Sequence, residues 1–180
     1  MSPTEVLSDG FSRIRTVVHC ALKDAPVEVL TFRADPQANT IAWLVWHLAR
    51  VQDAQIAQVM GKEQVWTAGA WVDRFGLPFD PGATGYGQSP DDVGTVRTAA
   101  ELLADYYDAV HTRTINYLRT LTEADLARIV DTSWDPPVTL AVRLVSTLAD
   151  DLQHAGQASY VRGLANRAGA ASSGGSPVVG

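Results

Sequence analysis

Cysteine is nearly absent from this chain. Cys20 is its single representative, so no disulfide can form within the chain and a zinc site built from several thiolates is excluded. Positive charge is in short supply as well: the formal net charge is -6, the wrong sign for a general binder of phosphate backbones, so nucleic acid is not an expected partner. No run approaches the roughly 20 apolar residues of a membrane span. The opening Met1-Ser2-Pro3-Thr4-Glu5 has neither the basic nor the apolar segment of a secretory signal, and a cytoplasmic protein without membrane contact is the resulting expectation. There is no Gly-x-x-x-x-Gly-Lys phosphate loop, no dinucleotide fingerprint and no Gly-x-Ser-x-Gly elbow. Cys20 has only His19 beside it, and adjacent helical residues do not face each other, which argues against a cysteine nucleophile.

What is present is helical. With 180 residues, 46% of them hydrophobic, the chain can bury one core, and four stretches carry a helical period with no convincing strand alternation between them. The first spans about Pro3 to Ala25, with Leu7, Phe11, Ile14, Val18 and Leu22 in step and Pro26 as a stop. The second runs from a cap at Asn39 or Thr40 to Met60 before Gly61. The third starts at Thr98, where Thr98-Ala99-Ala100-Glu101 has capping-box spacing, and extends to about Leu121. The fourth follows Pro136-Pro137, with Thr139 as N-cap, and reaches roughly Leu164. Between the second and third lies a long segment rich in Gly and Pro, with further helical turns expected at Ser89-Pro90-Asp91-Asp92 and around Trp66 to Trp71. A connection this long suits an all-α four-helix bundle with a crossover. Residues 1–164 form the bundle in this reading, and residues 165–180, mostly Ala, Ser and Gly, form a flexible tail.

Metal-capable side chains interrupt two of these helices. His47 follows Leu44 by three residues and precedes Val51 by four, which sets it on the inward stripe of the second helix. That position suits a hydrogen-bonded core histidine as well as a ligand. In the fourth helix Arg143, Thr147, Asp150 and His154 share one stripe, which suits a solvent face as well as a site. Both Asp150 and Asp151 are helical neighbours of His154, and the four-residue spacing favours Asp150. One His from one helix with a carboxylate and a His from another would leave open coordination positions, as a catalytic metal requires. His111, on a partly apolar stripe with Tyr107 and Thr114, is a candidate proton shuttle as well as a structural histidine. Arg113 and Arg143 are read as ion-paired or solvated. The five tryptophans are expected to pack the core or the long loop.

The segment Asn39-Thr40-Ile41-Ala42-Trp43-Leu44-Val45-Trp46-His47-Leu48-Ala49-Arg50 resembles the DinB-like superfamily. So do Trp134-Asp135-Pro136-Pro137-Val138-Thr139 and Asp150-Asp151-Leu152-Gln153-His154-Ala155-Gly156-Gln157, in the same order and spacing. The resemblance covers about residues 5–164 and is nearest to an actinobacterial branch related to mycothiol-dependent maleylpyruvate isomerase. It implies an up-up-down-down four-helix bundle holding a divalent metal, commonly through three histidines. The outer ligands map onto His47 and His154. The middle one maps onto Asp150, a departure toward the isomerases that carry a carboxylate there; zinc fits such a set, and nickel, manganese or magnesium remain open. The resemblance further implies a thiol transferase or isomerase acting on a small-molecule thiol, mycothiol among them, and an electrophilic substrate. A metal-dependent hydrolase and a noncatalytic stress-associated or interaction protein are the alternatives, and a homodimer is compatible with all three.

Overall fold

The element boundaries follow from local chemistry. In the computed structural model, which describes residues 2–173 with side chains through residue 169, α1 (Pro3–Leu22) starts with a capping box. The Ser2 hydroxyl accepts from the Glu5 amide, and the Glu5 carboxylate accepts from the Ser2 amide. Next come α2 (Val27–Leu30) and α3 (Ile41–Met60); Thr40 Oγ1 accepts from the Trp43 amide at 3.1 Å, and Gly61 closes the helix in the left-handed region at φ 61°. The long connection holds α4 (Val65–Ala68), α5 (Trp71–Phe75) and α6 (Pro90–Thr95), the last with a Ser89/Asp92 capping box where the sequence placed one. Then follow α7 (Ala100–Leu118), α8 (Glu123–Leu126), strands β1 (Ile129–Asp131) and β2 (Val138–Thr139), and α9 (Leu140–Ser173).

Three boundaries differ from the sequence reading. Helix α7 starts after Ala99, and no side chain caps it; burial of Leu103, Tyr106, Tyr107 and Val110 holds the helix without a box at Thr98. The antiparallel pair β1–β2, with Ile129 opposite Thr139, was not expected, because strands of two and three residues are too short to show alternation. Helix α9 continues through Ser173, nine residues past the expected end, with Val161 and Ala165 still buried. Of the expected flexible tail, residues 174–180 lie outside the described residues.

The four long helices α1, α3, α7 and α9 pack together as a bundle in which α9 lies against α1 and α3, and α7 against the same two from the other side. Side-chain pairs set their sense. Leu148 packs over Gly10, and Arg162 bonds to the Ala21 carbonyl, so α1 and α9 run parallel. His47 meets His154 while Gln55 meets Arg143, so α3 and α9 are antiparallel. Arg15 pairs with Asp108, while His19 and Lys23 share a hollow with Ala100 and Ala104, so α1 and α7 are antiparallel. The four-helix bundle and its long crossover stand, and the order is up-down-down-up in place of up-up-down-down. The physical reason is that only residues 61–99 travel back along a helix; α3 is ~30 Å long at 1.5 Å per residue, and the other two connections merely reverse the chain.

Because this crossover lies over its outer side, α3 is buried nearly all round, with every residue from Ile41 to Arg50 buried. Trp46 packs against Trp66 and Phe79 of the crossover. The polar fastening is a buried pair, Arg50 and Asp53, 3.6 Å apart with both side chains fully buried. Asp53 accepts from the amides of Val65 and Trp66 at 2.8 Å each and from Tyr106 Oη at 3.0 Å. Arg50 donates to the Ala83 carbonyl and to Gln64. Removing one member leaves the other charged and unpaired in the core, so Asp53→Ala is expected to cost about 3–5 kcal/mol. Urea unfolding measures this directly, and a loss below about 1 kcal/mol would show that the pair does not anchor the crossover.

Candidate metal centre

Helices α3 and α9 bring His47, Asp150 and His154 together: one donor atom from each lies within 4.8 Å of the other two. His47 projects from the buried stripe of α3, as its spacing from Leu44 and Val51 predicted, and is 6% exposed. The polar stripe of α9 is turned toward α3, so Asp150 and His154 face the groove between the helices. His154 Nε2 stands 3.6 Å from Asp150 Oδ1, too long for a hydrogen bond.

Neighbouring groups set the tautomers. His47 Nδ1–H donates to the Thr84 carbonyl at 2.5 Å, and since a carbonyl only accepts, Nε2 keeps its lone pair free. His154 Nδ1–H donates to Gln157 Oε1 at 3.0 Å, which frees its Nε2 likewise. This is the outer-shell arrangement that orients metal-ligating histidines. Trp43 stacks on His47 with ring centroids 4.5 Å apart and meets His154 edge-on at 6.4 Å, while its indole N–H donates to Gln88. The crossover passes so close here that Gly85 is required: at φ +98° a Cβ would sit 2.6 Å from His47 Nδ1.

Burial and the neighbouring Asp150 shift the two histidines in opposite directions. Burial lowers the His47 pKa, the Thr84 carbonyl opposes that, and the His154 charge adds to the lowering. Asp150 raises His154, with burial acting against it, and His154 in turn holds Asp150 below the ordinary carboxylate range. Asp150 Oδ2 is buried without a hydrogen-bond partner. Of the two adjacent acids, it is Asp150 whose carboxylate lies with the two histidines. Asp151 points into the core, fully buried, where burial and then the neighbouring Asp150 push its pKa well up.

His111 stands elsewhere. Its ring lies 6.4 Å from that of Tyr107, and its pKa is lowered by burial and Arg15, with Asp108 opposing. Among the described residues no hydrogen bond, ion pair or ring contact joins it to the triad. His19 and Arg15 both pair with Asp108. Arg143 is held by Asp131 at 2.7 Å and by Gln55, as an ion-paired arginine was expected to be. Four of the tryptophans are buried, and Trp134 is 67% exposed. Gln157, Thr84 and Gly85 had been given no role. Gln157 was open to inference from its three-residue spacing to His154, whereas Thr84 and Gly85 arrive through a long-range contact that carries no local signal.

A family model described as the DinB superfamily matches residues 11–158, a span that contains all three donors. Among solved structures, the chain is similar to a conserved protein from Enterococcus faecalis, with 31% sequence identity and a TM-score of 0.84 over 90% of this chain and 96% of that one. No curated protein matches. No described helix is long and apolar enough to cross a membrane.

In metal-free protein, an NMR pH titration of the imidazole carbons is expected to show His47 titrating below and His154 above the ordinary value of 6.5. Asp150→Asn removes the group that raises His154 and should bring it down toward 6.5. A His154 midpoint unmoved by that substitution would break the assigned coupling.

Proposed function

Because the chain belongs to the DinB superfamily, we propose that His47, Asp150 and His154 hold a divalent cation, zinc first, and serve a low-molecular-weight-thiol-dependent S-transferase or isomerase of the mycothiol type. The observation that carries this reading is the convergence of three donors within 4.8 Å while both imidazoles have their Nδ1–H engaged elsewhere. The donor set fits a cation, since Asp150 Oδ2 is a buried acceptor that takes no hydrogen bond from any of the described residues. A carboxylate with two imidazoles suits zinc and also admits nickel, manganese or magnesium. Three protein ligands leave coordination positions open, and a cation held there lowers the pKa of a thiol or of water brought to it.

The chain's own residues supply the rest. Trp43 covers one face of His47 and keeps water from that side. Thr84 and Gln157 fix the two rings so that neither turns its protonated nitrogen inward. The Asp150 side chain, 39% exposed against 18% for His154, marks the side from which a small molecule reaches the triad.

Zinc titration of metal-depleted protein is expected to give one equivalent bound, with affinity at least about 100-fold lower in His47→Ala and in His154→Ala. Stoichiometric zinc in both variants would overturn the assignment. The pH dependence has a definite sign. His154 must lose its proton to bind, and its pKa lies above the ordinary value, so affinity falls as pH drops through that raised pKa, by up to about tenfold per pH unit. With zinc bound, mycothiol is expected to be consumed faster by a generic electrophile such as 1-chloro-2,4-dinitrobenzene. Hydrolysis of model esters without any thiol would instead assign the site to a metal-dependent hydrolase.

A further inference from the structure

The triad sits between two hollows of opposite character along the α3–α9 groove. On one side Asp150, Thr147, Ser146, Arg143 and Gln55 wall a polar hollow of about 180 Å³. On the other, Leu44, Val161, Leu164 and Tyr160, with the amides of Gln37, Asn39 and Gln157, border an open hollow of about 330 Å³, and no lining residue there carries a charge. Leu44 is fully buried and Val161 is 8% exposed, so the floor is apolar, while Tyr160, 67% exposed, stands at the rim. Gln157 belongs to this wall and also holds His154 Nδ1–H, so it joins the hollow to the triad directly.

We infer that the hollow on the Gln157 side binds an uncharged, largely apolar small molecule, and that on the thiol-transfer reading this molecule is the electrophile. An ionised ligand set against Leu44, Val161 and Leu164 would lose hydration with no counter-charge in the wall to replace it. The amides of Gln37, Asn39 and Gln157 provide the few polar groups that orient a ligand over the apolar floor, and the volume falls within the range of small-molecule pockets. A charged or strongly polar group is better met on the Arg143 side. The assignment as electrophile rests on the proposed function, but binding to the hollow does not need the metal.

Calorimetric titration of the full chain, with and without zinc, tests this using 1-naphthol and its anionic analogue 1-naphthoate. The expected result is one site for 1-naphthol in both preparations, at least tenfold weaker binding of 1-naphthoate, and at least fivefold weaker 1-naphthol binding in Leu164→Trp, which fills the hollow. Tyr160→Asp, at an exposed position that does not threaten folding, should weaken 1-naphthol similarly with zinc stoichiometry unchanged. Equal affinity for the two probes, no 1-naphthol binding up to its solubility, or unaltered binding in both variants would overturn the inference. Retained 1-naphthol binding in a protein that takes up no zinc would support the hollow and defeat the metal reading alone.

Discussion

Arg50 and Asp53 lie one turn apart on α3 with both side chains fully buried, and neither charge could stay there without the chain that wraps them. Asp53 caps the start of α4 through the amides of Val65 and Trp66, while Arg50 reaches the Ala83 carbonyl much further along the same crossover. The next carbonyl, Thr84, accepts from His47. The pair therefore does more than close a core, because it holds the one backbone group that decides which His47 nitrogen faces the groove. Tyr106, whose pKa burial raises well above its ordinary value, remains a neutral donor between the two ions. Its hydroxyl ties α7 to the same cluster.

This dependence explains the length and composition of the crossover. A segment that only returned the chain to the start of α7 would not need Gly85 against His47, Trp43 and Trp46, where any Cβ would collide. Nor would it need the Trp66 and Phe75 rings packed against Tyr106 of α7 in tilted and edge-on contacts with centroids 5.1–5.8 Å apart. The aromatic packing makes the crossover rigid, and rigidity is what a single backbone carbonyl needs if it is to orient a ligand. The opposite wall is simpler. Helix α9 carries Asp150, His154 and Gln157 on one face, so the orientation of His154 is settled within a single helix.

The same contrast separates what could be read in the sequence from what could not. Asp150 and His154 share a stripe by periodicity, and the stripe is real. Periodicity cannot say whether a polar stripe faces water or a groove, since both bury the other faces of the helix alike. His47 among apolar residues was visible too, but whether it was a core histidine or a ligand turned on Thr84, which lies 37 positions away. The order of the helices escaped for a related reason: a long connection signals a crossover but does not say which of its flanking helices run parallel. The short hairpin at Ile129–Asp131 and Val138–Thr139 was invisible because two residues have no period.

The adjacent acids on α9 set the charge of the triad. Successive residues of a helix are turned by about 100°, so Asp150 reaches the groove and ionises beside His154, while Asp151 enters the core with its pKa pushed well up. The triad thus contributes one negative charge where three histidines would contribute none. On the proposed reading, this strengthens the hold on a dication and leaves a residual charge of one. With Trp43 buried against both imidazoles, a cation held there would be met most favourably by a small molecule that brings a single negative charge. A thiol reaching the triad as its anion would meet that requirement, and an electrophilic partner would then be best uncharged, because a second ionised group there would have nothing to offset its desolvation.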